Sequence, residues 1–110
     1  MADYSHYYDI PDGKYKENRY NHYFNRYINP FFPADKNARI LDLGCGYGIF
    51  LDACRRGGYK NLFGVEAEKK WADYGREKLD LENLSCGDIF TFLSSQKDSS
   101  FDVITAINVM

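Results

Sequence analysis

The stretch Ile40-Leu41-Asp42-Leu43-Gly44-Cys45-Gly46-Tyr47-Gly48 combines a short apolar run, one acid and three glycines at alternate positions. A helical pattern follows it, and this order is typical of a buried parallel strand that leads through a ligand-binding turn into a helix. Glycine has no Cβ, so it adopts positive φ and lets backbone N–H groups approach a ligand closely. The amides at the start of the following helix favour an anionic group. The stretch therefore predicts a loop that binds a small molecule.

The residues around these glycines narrow the kind of ligand. A dinucleotide-binding turn has the pattern G-x-G-x-x-G/A, and counting from Gly44 and Gly46 its third position falls on the bulky Ile49. A phosphate loop needs Gly-Lys-Ser/Thr after four intervening residues, and the sequence contains no such run. Asp42 lies two residues ahead of the first glycine, where its charge would repel a pyrophosphate and attract an ammonium or sulfonium group. These features favour a zwitterionic ligand.

The pattern from Leu41 to Gly48 resembles the cofactor loop of the class I S-adenosylmethionine-dependent methyltransferases, which reads hydrophobic-Asp/Glu-hydrophobic-Gly-x-Gly-x-Gly. The resemblance implies an α/β fold, with a Rossmann-like parallel sheet, helices on both faces and strand order 3-2-1-4. It implies S-adenosyl-L-methionine (SAM) as cofactor and methyl transfer to an oxygen, nitrogen or carbon atom. An ordinary strand-to-helix turn is the alternative for the glycines alone. The loop residues that we expect to bind cofactor are Asp42, Gly44, Cys45, Gly46, Tyr47 and Gly48.

A second landmark is the acid at the end of the next apolar run, which covers residues 61–66. Glu66 follows Gly46 by twenty residues, the spacing at which ribose-binding acids lie in this kind of unit. Its two carboxylate oxygens can accept hydrogen bonds from both ribose hydroxyls. We include the adjacent Ala67 in the expected cofactor site. The alternative for Glu66 is a solvated acid in the first turn of a helix.

The resemblance supplies two more landmarks. Residues 83–89 predict a third strand, and an Asp at the place of Asp88 resembles the acid that accepts from the adenine amino group. The backbone N–H of Ile89 would then address a ring nitrogen. Residues 101–110 predict a β-branched fourth strand, and the residue matching Asn108 lies beside the methionine part of the cofactor. The alternative for Asp88 is a loop aspartate that bonds its own backbone.

Two parts are expected along the chain: an N-terminal arm and aromatic helix at residues 1–38, and a SAM-binding α/β part at residues 39–110. Within residues 14–29 apolar side chains recur at three- and four-residue steps, which predicts an aromatic helical face that ends at Pro30. These side chains are Tyr20, Tyr23, Phe24, Tyr27 and Ile28. Rings at this spacing favour packing on the sheet, and a lid over cofactor or substrate is the alternative. Further helices are predicted at residues 48–56 and 68–81, with a short helical turn at residues 89–93.

Composition and charge restrict the class of protein. A chain of 110 residues forms one domain at most. Its formal net charge is −2, and acidic and basic residues are interspersed, so there is no basic stripe for an obligate nucleic-acid partner. A small-molecule or sugar acceptor suits it better. The cysteines lack metal-ligand and redox spacing, so we expect reduced thiols, no metal site and a cytoplasmic protein. No apolar run approaches the length of a membrane span, so no membrane partner is expected.

No residue stands out as a general base, and the catalytic residues stay unassigned. His6 and His22 titrate in the useful range, but His22 lies between Asn21 and Tyr23 at a position typical of a helix surface. Tyr47 is instead a candidate for contact with substrate or cofactor.

The family sheet has seven strands, so the sequence resembles only its N-terminal, cofactor-binding half. We expect turnover to depend on strands that complete the acceptor pocket. Two explanations for the exposed fourth strand stay open. Either the sequence is part of a longer enzyme that contains the missing strands, or the strand edge at residues 103–109 pairs with a second copy of the chain. Two other functions stay open: a non-catalytic module or subunit that binds SAM or S-adenosylhomocysteine (SAH), and a fragment of a nicotinamide-dependent oxidoreductase.

Overall fold

A computed structural model describes residues 13–98 and 100–107 of the chain. Expectations for the first twelve residues, including His6, and for the cofactor contact of Asn108 lie outside the described residues. Four parallel strands form one sheet in the order β3-β2-β1-β4, which confirms the predicted fold class and strand order. The strands are β1 (Arg39–Leu43), β2 (Asn61–Glu66), β3 (Leu84–Cys86) and β4 (Val103–Thr105).

Helices cover both faces of this sheet. The helices are α1 (Gly13–Tyr23), α2 (Asn29–Phe31), α3 (Ile49–Arg56), α4 (Lys69–Lys78) and α5 (Ile89–Ser94). A Cβ built on Gly64 of β2 would lie 2.8 Å from Leu51 Cδ1, so this side of the strand faces α3. The neighbouring Phe63 points to the opposite face, because side chains alternate along a strand. Its ring centroid lies 5.3 Å from that of Phe101, which in turn lies 6.3 Å from that of Phe92 in α5.

Two aromatic side chains of the N-terminal helix, those of Tyr20 and Tyr23, pack on α3. Tyr20, Tyr23 and Ile28 are buried, and the ring of Tyr23 meets that of Phe50 edge-on at 5.2 Å. Phe50 itself is fully buried in α3. This burial favours the core interpretation of the aromatic face over the lid.

The predicted end of this helix at Pro30 is wrong. Helix α1 continues as a π-helical segment, Phe24–Ile28, and then as α2, which contains Pro30. The Asn29 N–H donates to the Phe24 carbonyl, and the Phe32 N–H donates to the Ile28 carbonyl at 2.9 Å. Proline lacks a backbone N–H. The helix nevertheless continues through Pro30, because the residues before and after it keep their backbone hydrogen bonds. The backbone becomes extended only at Phe32.

Three other predicted elements are shorter than expected. Helix α4 ends at Lys78 rather than at residue 81, because Asp80 takes a positive φ of 54° and the Leu81 N–H turns back to the Gly75 carbonyl at 3.1 Å. Strand β3 ends at Cys86 rather than at residue 89, since Asp88 already caps α5. Of the described residues in the predicted fourth strand, only three pair with β1.

Strand β4 lies at one edge of the sheet. The side chain of Ile104 on this edge is 54% exposed. Self-association through the edge stays a prediction.

No helix among the described residues is long and apolar enough to cross a membrane.

Candidate cofactor site

The glycine loop lies between β1 and α3, at the carboxyl end of the sheet. Gly44, Gly46 and Gly48 have φ values of +66°, +62° and +94°, which confirms the predicted positive φ. The N–H groups of Gly44 and Cys45 donate to the Val65 carbonyl at 2.9 and 3.1 Å, so the loop is fastened to β2. Gly48 is the residue that starts α3. The sequence motif therefore forms a turn whose backbone only glycine adopts without strain.

Two glycines outside the motif let neighbouring elements approach this loop. A Cβ on Gly64 of β2 would lie 2.7 Å from Cys45 Sγ, and a Cβ on Gly75 of α4 would lie 2.6 Å from the Tyr47 carbonyl oxygen. Any larger residue at either place would displace the loop. Sequence reasoning did not connect these residues with the site, although an isolated glycine inside a strand or a helix is itself a signal of close backbone approach.

Gly46 differs from these packed glycines. Apart from its chain neighbours, no atom of the described residues lies within 4 Å of the position that its Cβ would take, so the described part of the chain leaves the loop open on this side. Its N–H donates to Glu66 Oε1 at 2.8 Å, and the Glu68 N–H donates to Glu66 Oε2 at 2.9 Å. Each carboxylate oxygen has a second lone pair and can accept one more hydrogen bond. The structure thus brings Glu66 to the open side of the loop, and its contact with ribose stays a prediction.

Asp88 lies at the end of β3 and is exposed. Its Oδ2 accepts hydrogen bonds from the Thr91 N–H at 2.8 Å and from Thr91 Oγ1 at 3.1 Å, so Asp88 caps the helix that begins at Ile89. This is the alternative role considered for Asp88, and it leaves the adenine contacts of both residues as predictions. A cavity of about 180 Å³ lies beside Asp88 between β3 and α5.

Ala67 is exposed, and its carbonyl faces Cys86 Sγ at 3.8 Å.

Asp42 is completely buried beneath the loop, with 0% of its surface exposed. Thr105 Oγ1 on β4 donates to its Oδ1 at 2.8 Å, whereas Oδ2 has no hydrogen-bond partner among the described residues. The pKa of Asp42 is raised to about 7, chiefly by burial and additionally by the charge of Glu66, although the Thr105 hydroxyl and the Ile107 backbone favour the charged form. A buried carboxyl oxygen without a partner is costly. This orphaned oxygen fits a ligand that carries a positive charge.

The side chain of Tyr47 packs against α4. Its ring centroid lies 5.7 Å from that of Trp71 and 5.4 Å from that of Tyr74, the latter in an edge-on arrangement. These contacts hold the glycine loop against the helix. A contact of Tyr47 with substrate or cofactor stays a prediction.

The thiol of Cys45 is buried next to Asp42 and Glu66. Burial raises its pKa, and the two negative charges add to the effect, so the thiol stays neutral. Cys45, Cys54 and Cys86 are all free cysteines. Within residues 13–98 and 100–107, no cluster of His, Cys, Asp and Glu side chains could hold a metal ion.

The comparisons with known proteins agree with this fold. The sequence matches the methyltransferase domain family over residues 15–110, so the chain belongs to that family. The search of curated proteins found no match.

Two solved structures show how much of such a protein the chain represents. A SAM-dependent methyltransferase from Archaeoglobus fulgidus is 29% identical with a TM-score of 0.65, over 81% of this chain and 37% of that one. A SAM-bound amino pentose methyltransferase from Micromonospora echinaspora, involved in calicheamicin biosynthesis, is 22% identical with a TM-score of 0.53, over 86% and 35%. The second likeness concerns the fold alone. The chain spans little more than a third of either protein.

Proposed function

We propose that this chain binds SAM at the carboxyl ends of β1 and β2 and forms the cofactor-binding half of a methyltransferase. The observation that carries the proposal is the Gly46 amide held by the Glu66 carboxylate at 2.8 Å, beside the open side of the loop. One loop with three glycines at positive φ lets the backbone approach a ligand closely, and an acid at the next strand end is placed to bind a ribose. Family membership favours this function over the nicotinamide-dependent alternative.

The roles of the site residues follow from their positions. Glu66 would accept from the ribose hydroxyls with the lone pairs that the loop amides leave unused. Asp42 would attract the positive end of the ligand through its buried charge. Asp88 and Ile89 would address the adenine, and Asn108 the methionine part. SAM, when bound, supplies a methyl group activated by the positive charge on sulfur, so these residues need only orient it and exclude water.

The acceptor is the least defined part of the proposal. The small net charge of −2 favours a small molecule, a sugar among them, over a nucleic acid. The pocket for this acceptor would need residues beyond the four strands described here, because the chain spans only 37% of the Archaeoglobus fulgidus protein.

Calorimetry with SAH tests the proposal. We expect the wild-type chain to bind SAH and Glu66→Ala to bind at least tenfold more weakly, since the loss of even one hydrogen bond to a carboxylate costs about 1.5 kcal/mol or more. Glu82→Gln is the matched control, because it removes a carboxylate charge from an exposed position outside the site. Full affinity in Glu66→Ala would remove the ribose assignment. A folded wild-type chain that releases no heat with SAH would refute the proposed binding.

A further inference from the structure

Thr105 and Asp42 form a pair across the two strands at the β4 edge. Their Cα atoms are register partners in the parallel ladder between β1 and β4. Thr105 Oγ1 lies 2.8 Å from Asp42 Oδ1 and 3.4 Å from the Leu41 carbonyl oxygen. A hydroxyl has a single proton, and the shorter contact, to a carboxylate, is the stronger bond. Thr105 therefore fixes one oxygen of Asp42, and the other oxygen has no partner in the described part of the chain.

The groups packed around Asp42 do not neutralise its charge. Glu66 on β2 acts on it with a second negative charge. Cys45 in the loop and Cys54 in α3 are buried thiols whose pKa values are raised by their own burial and, in addition, by Asp42. On the β4 side only the Thr105 hydroxyl and the Ile107 backbone favour the carboxylate. Among the described residues, no cation contributes to this environment.

We propose that Thr105 is a positioning residue of the cofactor site, which holds the Asp42 carboxylate beneath the glycine loop for a positively charged group of the ligand. The inference rests on the proposed binding of SAM and adds a residue from β4 to the site. A charge in a low-dielectric interior acts strongly on an opposite charge, and no cation among the described residues compensates the charge of Asp42. Thr105 acts through Asp42 and needs no contact with the ligand.

Two substitutions distinguish the effect of the Thr105 hydroxyl from the effect of the rest of its side chain. Thr105→Val replaces the hydroxyl with a methyl group of similar size, and Thr105→Ser keeps the hydroxyl. Without the hydrogen bond, the pKa of Asp42 rises above its value of about 7, so more of the carboxyl is protonated at neutral pH. We expect the valine variant to bind SAH about tenfold more weakly at neutral pH and to recover affinity at alkaline pH. The serine variant should follow the pH profile of the wild type.

An infrared titration of the ligand-free protein reads Asp42 independently of SAH. The carboxyl band that disappears in Asp42→Asn identifies the residue, and its midpoint should rise by about one pH unit in Thr105→Val. The role of Thr105 would be overturned by an unchanged midpoint in Thr105→Val, or by equal SAH affinity of the wild type, Thr105→Val and Thr105→Ser across the pH range. Neither result would affect the proposed binding of SAM. Absence of SAH binding by the wild type would instead overturn the proposed function, whatever the infrared midpoint.

Discussion

Two carboxyl groups are buried in the described structure, and their surroundings differ. Asp52 in α3 accepts hydrogen bonds from the Tyr20 hydroxyl and from Arg55, so both of its oxygens have partners. Asp42 in β1 has Thr105 on one oxygen and no described partner on the other. Asp52 joins α1 to α3, where its bonds stabilise a contact within the protein. Asp42 lies under the glycine loop, where an unsatisfied charge costs stability.

The largest effect is expected from Asp52→Ala. The substitution leaves the buried Tyr20 hydroxyl without its acceptor and Arg55 without its carboxylate. We expect the free energy of unfolding at neutral pH to fall by about 3 kcal/mol, chiefly because the buried Tyr20 hydroxyl loses its acceptor. Arg55 adds little, since its side chain is 42% exposed. Urea unfolding measures this loss, and Asp98→Ala is the exposed control. A loss as small as that of the control would mean that Asp52 does not anchor α1, and the contrast with Asp42 would disappear.

Asp42→Asn should change stability in the opposite direction. The pKa of Asp42 is raised from 3.8 to about 7 in the folded protein, so ionisation costs the folded state free energy. This cost is absent below the unfolded value and is complete once the pH has risen through the folded value. The raised pKa corresponds to about 4 kcal/mol at alkaline pH. The amide carries no charge, but burying its NH2 group offsets part of this gain, so we expect the variant to gain about 2 kcal/mol at alkaline pH and no stability at acid pH.

Two measurements test this second prediction. Urea unfolding on either side of neutral pH should show that the wild type loses stability as the pH rises, while the curve of Asp42→Asn is flatter. Calorimetry should show weaker SAH binding by the same variant. A variant that is less stable than the wild type at alkaline pH would show that the carboxylate of Asp42 has a compensating partner, and the distinction from Asp52 would then be lost.

The parts of the site that follow from local sequence were predicted well. The alternate glycines specify a turn by their own conformational freedom, and the bounds of β2 follow from an apolar run that ends in Glu66. The strand order was also predicted, because the resemblance supplied the whole topology and not only the loop. These features depend on neighbouring residues or on a known family pattern.

The features that were missed depend on residues far apart in the chain. Thr105 lies 63 positions from Asp42, and only the register of β4 brings them together. Tyr20 lies 32 positions from Asp52, and nothing in the helical periodicity of the aromatic face shows which ring carries a partnered hydroxyl. The π-helical turn at residues 24–28 adds a residue to the turn, which a 3.6-residue period cannot represent. Tertiary packing decides all of these features.

The smallest effect is expected from Tyr20→Phe, which removes only the hydroxyl that donates to Asp52. The phenyl ring keeps its place under the Arg56 guanidinium, which lies 3.9 Å above the Tyr20 ring centroid. Asp52 also keeps Arg55 as a partner. The loss in the free energy of unfolding should therefore be about 1 kcal/mol at neutral pH, the usual net contribution of one hydrogen bond.

The pH dependence of this loss shows whether the hydroxyl is the cause. Burial raises the pKa of Tyr20 above its ordinary 10.0, and the hydrogen bond to Asp52 raises it further. In strongly alkaline solution the unfolded chain ionises this tyrosine while the folded protein resists, so the wild type loses stability that the phenylalanine variant keeps. The difference between the two proteins should shrink above that pH. In an Asp52→Ala background the substitution should cost nothing, and a full loss there would place the effect of Tyr20 in its ring packing instead of its bond to Asp52.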